Sequence, residues 1–311
     1  MGSQPIGRDR PISKAAALPR TGRSRLAARR RRAGILFSLP VVALVGSMLL
    51  LPIGQTVYYS FTNWDGFSSK WIGTANYSHL FHDSEFIRVV ENNAVMVLAI
   101  PVAILLPLGV AFLINSHVRG WRFFRSVFFL PTAVSWVVIG YISVRFFADQ
   151  GILQSLLNNT GLGFLHPNML SHERSALVAV MITFVWSMFG TNLIIFLAGM
   201  ATIDQEIYDA ARVDGAGSLT VMFRITFPLL KRFVQFTFII SLITAFSALF
   251  SLIYVMTGGG PGYGTTTLEF YSYQQAFSAG DFSVGATAGV VLFAAVFAVS
   301  MLQLRLLRSK D

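Results

Sequence analysis

Apolar residues in this chain come in long unbroken runs, not in the alternation of a half-buried strand. Six runs stand out, at about Ala33 to Tyr59, Asn93 to Asn115, Val127 to Phe147, Ala176 to Gly199, Phe233 to Met256 and Val284 to Leu304. Each is close to the ~20 residues a helix needs to cross a bilayer core. They are too long and too evenly apolar for barrel strands, so each predicts a membrane-spanning helix that satisfies its own backbone groups. Pro40, Pro101, Pro107 and Pro131 lie inside or near the ends of these runs and predict kinks there. The expected fold is all-α, with six transmembrane helices.

Composition agrees with that class. Hydrophobic residues make up 54% of the chain and charged residues 12%, against the ~25% charged of an average soluble domain. The basic residues then orient the spans, because Lys and Arg accumulate on the cytoplasmic side. Ten precede the first run, Arg119, Arg122 and Arg125 separate the second from the third, four lie between the fourth and fifth, and three follow the sixth. The other side holds Lys70, Arg88, Arg145 and Arg174. Both termini of a multi-pass membrane protein are therefore expected in the cytoplasm.

Three parts follow: a basic tail over residues 1–32, a transmembrane domain over 33–307 and a short cytoplasmic end over 308–311. The tail ends in Arg29-Arg30-Arg31-Arg32 and has little apolar periodicity, so it reads as disordered. It has no aromatic side chains to stack on bases, so nucleic acid is not its expected partner. Attraction to anionic membrane lipid, ~1 kcal/mol per charge near the surface, fits it better.

Several chemistries are excluded. With no cysteine there is no disulfide, thiolate nucleophile or Cys-ligated metal. His79, His82, His117, His166 and His172 fall outside the runs and form no spaced ligand pair, so neither a metal site nor catalytic residues are expected. No GxxxxGK[ST] phosphate loop occurs, so the chain should not hydrolyse ATP itself; no cofactor and no enzyme activity of its own are expected. No Asp, Glu or Lys lies deep in any run, which argues against an ion-coupled carrier. The glycines from Gly258 to Gly264 read as a flexible outer turn or a contact for another protein.

The charged stretch between the fourth and fifth runs, about 200–230, reads as a docking knob. Thr202 and Gln205 have the spacing of a capping box, and the Ala210-Ala211 pair would let a partner approach closely. Gly215 and Gly217 break the helix, Ser218 can cap a second short one, and Pro228 stops regular hydrogen bonding before the next run. The order Asp209-Ala210-Ala211, Gly215, Ile225-Thr226-Phe227-Pro228 resembles the EAA loop of ATP-binding-cassette importer permeases, with Asp for the usual Glu and Phe for Leu before the proline. Trp71-Ile72-Gly73-Thr74-Ala75-Asn76-Tyr77, Phe124-Arg125-Ser126-Val127-Phe128-Phe129-Leu130-Pro131 and Tyr254-Val255-Met256-Thr257-Gly258-Gly259-Gly260-Pro261 are similar to the sugar-permease branch, of the maltose-type first subunit.

The resemblance implies a type I importer permease that moves a sugar or oligosaccharide by alternating access. It implies four partners besides the sugar: a second homologous permease, two cytoplasmic ATP-binding subunits and an extracytoplasmic solute-binding protein. It also implies that Glu206, Asp209, Ala210, Ala211, Asp214, Gly215, Ala216, Phe223, Ile225 and Pro228 form the ATPase-coupling loop. Aromatic and neutral polar groups suit a sugar, which makes Trp186, Phe189, Gly190, Asn192, Phe246 and Ser247 candidates for the solute pathway. Of these, Phe189, Gly190 and Phe246 fall by resemblance near sugar-contacting positions. A polyol or glycerol-phosphate importer of the same branch is the alternative, with Arg145 as a cation for its path; a non-transporting membrane scaffold is a further one.

Overall fold

Helices form along the six apolar runs, but the second, third and fifth are each divided into more than one helix. The computed structural model describes Gly2 and residues 20–115, 121–163 and 168–308. The rest of the tail up to residue 19, His117, Arg119, His166 and the last three residues lie outside the described residues. The chain divides into two compact units, 1–55 and 56–311.

In the first unit the described chain is the helix α1, Arg20–Ser60, whose last turn belongs to the second unit. It starts at Arg20, before Ala33 where the apolar run begins, and carries Pro40 and Pro52 inside it. Apolar side chains such as Leu36, Phe37 and Met48 are exposed along it, as suits a helix solvated by lipid.

The second unit continues with a small hairpin, β1 (Thr62–Trp64) and β2 (Ser69–Trp71), paired antiparallel. Next come α2 (Ala75–His82), α3 (Ser84–Val97) and α4 (Ala99–Asn115). Together α3 and α4 make the second span, divided at Leu98 just before Pro101. The third span departs from the expected Val127 to Phe147. Helix α5 (Trp121–Phe129) stops at a 3-10 turn, Leu130–Ala133, because Pro131 has no N–H to continue the ladder. The chain then turns extended at Ser135, whose hydroxyl accepts the Val138 amide and starts α6 (Trp136–Phe147). The apolar length is completed by α7 (Ile152–Asn159), so the span runs over Trp136–Asn159.

The fourth span is unbroken, α8 (Glu173–Met200). After the short helices of the knob, the expected fifth span is split into α12 (Lys231–Ser247) and α13 (Phe250–Met256). The chain then passes through α14 (Leu268–Tyr273) to the sixth span, α15 (Phe282–Arg308). Among the described residues five stretches are long and apolar enough to cross a membrane, and a sixth exists if Ser218–Leu229 and Lys231–Ser247 count as one bent span.

The core lies between α4 and α8. Ala99, Ala103 and Ala111 on one helix and Ala176 and Ala179 on the other are fully or almost fully buried. Small side chains at such a seam let two membrane helices approach closely, where dispersion replaces the hydrophobic drive that lipid does not supply. Asn192 of α8 crosses the seam and donates to the Ala103 carbonyl at 2.7 Å.

The segment after Gly258 is not the flexible turn the glycines suggested. Thr265 and Thr266 are fully buried, Thr266 donates to the Gly259 carbonyl at 3.0 Å, and Asn92 donates to the carbonyls of Tyr263 and Thr266. A Cβ on Gly264 would lie 2.7 Å from the Glu173 Cα, so that glycine is there for close packing. Its neighbourhood is tied by an ion pair of 2.6 Å between Arg88 and Glu173. Tyr271 donates to Asp83, and burial pushes its hydroxyl up from the ordinary tyrosine value, which keeps the donor protonated at neutral pH.

Candidate functional site

The knob is built as two short helices and a wide turn. Its first helix, α9 (Gln205–Val213), begins without the expected capping box. Thr202 still belongs to the turn that ends α8, and its hydroxyl donates back to the Gly199 carbonyl at 2.7 Å, so Asp204 takes the N-cap position and makes no side-chain cap. Glu206 in the first turn and Arg212 in the last suit the helix dipole.

The helix ends as its glycine predicts. Gly215 has φ of +76°, its amide donates to the Arg212 carbonyl, and the Ala216 amide reaches back to Ala211 at 2.9 Å. This is a Schellman closure, which needs a left-handed residue where glycine costs least. Gly217 then occupies the N-cap position of α10 (Ser218–Val221), so Ser218 is the first helical residue and caps nothing. A π turn over Met222–Thr226 follows, then α11 (Phe227–Leu229) with Pro228 in its first turn, and the chain bends by 73° into α12.

Burial divides the coupling candidates. Glu206, Asp209, Ala210, Asp214, Gly215, Phe223 and Pro228 are exposed, Ala216 and Ile225 are half-buried and Ala211 is buried. The Ala210-Ala211 pair therefore faces both ways, one residue outward and one into its own protein. Beneath Ala216 lies a cavity of about 200 Å³ walled by Phe112, Tyr208 and Val221. Tyr208 is buried, and its hydroxyl accepts from Thr226 across the knob at 3.4 Å. Asp209, in the place of the family glutamate, pairs with Arg212 at 2.9 Å; both are exposed, so the pair adds little stability.

Sequence reasoning missed two residues of this surface. Val213 is 88% exposed and Leu219 is 71% exposed, beside Phe223 at 60%. The signal for Val213 was present in the two-faced pattern of α9, whose apolar members are not all on the buried side; Leu219 lies on α10.

The pathway candidates lie in separate surroundings. Trp186 lines an apolar cleft of about 360 Å³ with Ile142, Phe146 and Ile182, between α6 and α8. Phe189 packs on Phe128 at 4.9 Å, and Gly190 is pressed against the backbone of Phe128 and Phe129. Asn192 faces the opposite way, into the α4 seam. Phe246 is buried, while the neighbouring Ser247 is exposed and donates to the Ile243 carbonyl at 2.7 Å, just before the break between α12 and α13. Arg145, the cation of the alternative reading, is exposed in the last turn of α6.

At that break stands an acid the sequence reading passed over, because it lies outside the apolar runs. Glu269 of α14 is half-buried and accepts the Phe250 amide at 3.1 Å. No cluster of three or more His, Asp or Glu that could hold a metal occurs among the described residues.

Residues 86–310 match the family described as binding-protein-dependent transport system inner membrane component. The chain is 33% identical to the sulfoquinovosyl glycerol transport system permease protein SmoG of Agrobacterium fabrum, over 90% of this chain and 92% of that protein. It is 32% identical to the multiple sugar-binding transport system permease protein MsmF of Streptococcus mutans, over 82% and 88%. Among solved structures it resembles the bacterial alginate transporter in complex with an alginate pentasaccharide-bound periplasmic protein, with a TM-score of 0.76 at 20% identity, covering 90% of this chain and 96% of that one.

Proposed function

We propose, for a chain that belongs to the family of binding-protein-dependent transport system inner membrane components, the following division of labour. The chain is the membrane-spanning permease subunit of an ATP-driven sugar importer. A second homologous permease completes the pathway beside it, two cytoplasmic ATP-binding subunits seat the knobs, and an extracytoplasmic binding protein delivers the sugar. ATP closes the ATPase pair, the seated knobs follow, and the spans open outward in alternation. The observation that carries this reading is the knob itself. A Schellman-closed helix, a wide turn and a sharp bend join the start of α12 to a loop that exposes Val213, Leu219 and Phe223.

Four expected results test it. Reporter fusions after Gly217 and after Arg308 should signal cytoplasm and one after Tyr263 the outside, as the basic residues dictate; a cytoplasmic signal at Tyr263 overturns the topology. Without a phosphate loop, the purified chain should show no ATP hydrolysis above background. It should copurify with an ATP-binding subunit, and membranes holding the full set of subunits should take up labelled sugar only when the binding protein is supplied. Uptake of glycerol phosphate in place of every sugar tried would move the assignment to that branch.

A further inference from the structure

Two short helices face one another at the break in the fifth span. On α13, Phe250 and Tyr254 are four residues apart, and their rings stack with centroids 5.8 Å apart. On α14, Glu269 and Tyr273 have the same spacing. The Tyr273 ring meets Phe250 edge-on at 4.9 Å and Tyr254 at 6.3 Å, so the two faces oppose each other. The Glu269 carboxylate sits at the base of this pair, holding the Phe250 amide where α13 begins. Tyr254 is 56% exposed, the other three are half-buried, and exposed Ser247 leads the chain into the break. The result is an accessible aromatic face with one carboxyl group at its base.

A sugar presents apolar ring faces beside hydroxyl donors, which aromatic rings and an acceptor match. A carboxylate has about four lone-pair sites, so accepting one backbone amide leaves capacity for sugar hydroxyls. Its charge also discriminates. The carboxylate or sulfonate of an acidic sugar brought against it would meet a like charge with little water between them. Capping the first turn of α13 requires an acceptor but not a charge, and a glutamine carbonyl would serve that purpose equally.

We infer that Glu269 is a specificity-determining residue of the solute pathway, which with Phe250, Tyr254 and Tyr273 favours neutral sugars and excludes acidic ones. This rests on the sugar-importer reading above. The test separates the permease from the choice made by the binding protein. Saturation-transfer NMR is recorded on the assembled permease and ATPase subunits in nanodiscs, without binding protein, with millimolar glucose against glucuronate, galactose against galacturonate, and maltotriose against trigalacturonate. The native protein should give about tenfold more transfer to the neutral member of a pair, a ratio set by differential affinity. Glu269→Gln should bring the acidic member to within about threefold of the neutral one, chiefly through a rise in the acidic signal. Native protein that binds both members equally, or a glutamine variant with an unchanged ratio, overturns the inference. Neutral sugars that are taken up by the full importer yet show no transfer here overturn this inference alone; absence of both uptake and transfer brings down the importer reading with it.

Discussion

Replacing Gly215 with aspartate should lower labelled-sugar uptake by at least ~10-fold while the amount of chain in the membrane stays near normal. The structure separates the two effects. A Cβ at Gly215 would meet nothing within 4 Å in its own chain, so there is no internal clash. The remaining internal cost is the left-handed backbone at φ of +76°, about 1 kcal/mol for a residue that tolerates it as aspartate does. That is too little to unfold a multi-span domain. What the substitution does change is the exposed face, where it adds a charge and a side chain beside Val213 and Leu219. If the knob seats in an ATPase, losing about 1.4 kcal/mol from a coupling contact that limits the rate already gives a tenfold fall. Uptake is measured beside membrane levels of the variant. Normal uptake at normal levels would show that the knob does not couple, and the central functional inference would fail.

Gly190→Val should do the reverse, removing the protein and not merely its activity. A Cβ there would stand 2.8 Å from the Phe128 carbonyl oxygen and 3.0 Å from the Phe129 Cα. These are backbone atoms and cannot rotate aside. Overpacking of this kind costs about 1 to 3 kcal/mol or more, and here it would push α8 away from the turn that holds Pro131. Membrane levels, read by immunoblot, should fall to less than about a tenth of normal. The result also decides what Gly190 is for. A variant present at normal levels but unable to transport would put this glycine on the solute's path; a variant that does not accumulate makes it a helix-packing residue.

How far the sequence could be read depended on the range of the interactions involved. Apolar runs and spaced motifs such as Asp209-Ala210-Ala211 with Gly215 and Pro228 are one-dimensional quantities, so the helices and the family were legible before any contact was known. The knob was legible in outline because Gly215 and Pro228 act on their own backbone. Its caps were not. Thr202 and Ser218 had the right chemistry for caps, but Thr202 lies two residues before the N-cap position of α9 and Ser218 one residue after that of α10, and helix ends are set by the tertiary course of the chain. The third and fifth spans were misjudged for a related reason. A hydropathy sum cannot see that Ser135 starts a new helix or that Ala248 and Leu249 interrupt one. Glu269 was hidden more completely, since only folding brings α14 to the amide of Phe250.

The bend of 73° after Pro228 has a mechanical meaning. Beyond it α12 runs without interruption from Lys231 to Ser247, a rod of about 25 Å at 1.5 Å per residue. Joined to the knob at this bend, that rod would act as a crank arm if the knob is driven as proposed. If the elbow stays stiff, rocking the knob by about 10° sweeps the far end of α12 through about 4 Å. That end is Ser247, the residue before the break, so the travel is greatest beside Phe250 and Glu269. A stroke made in the cytoplasm would be delivered, enlarged by leverage, at the joint in the middle of the span.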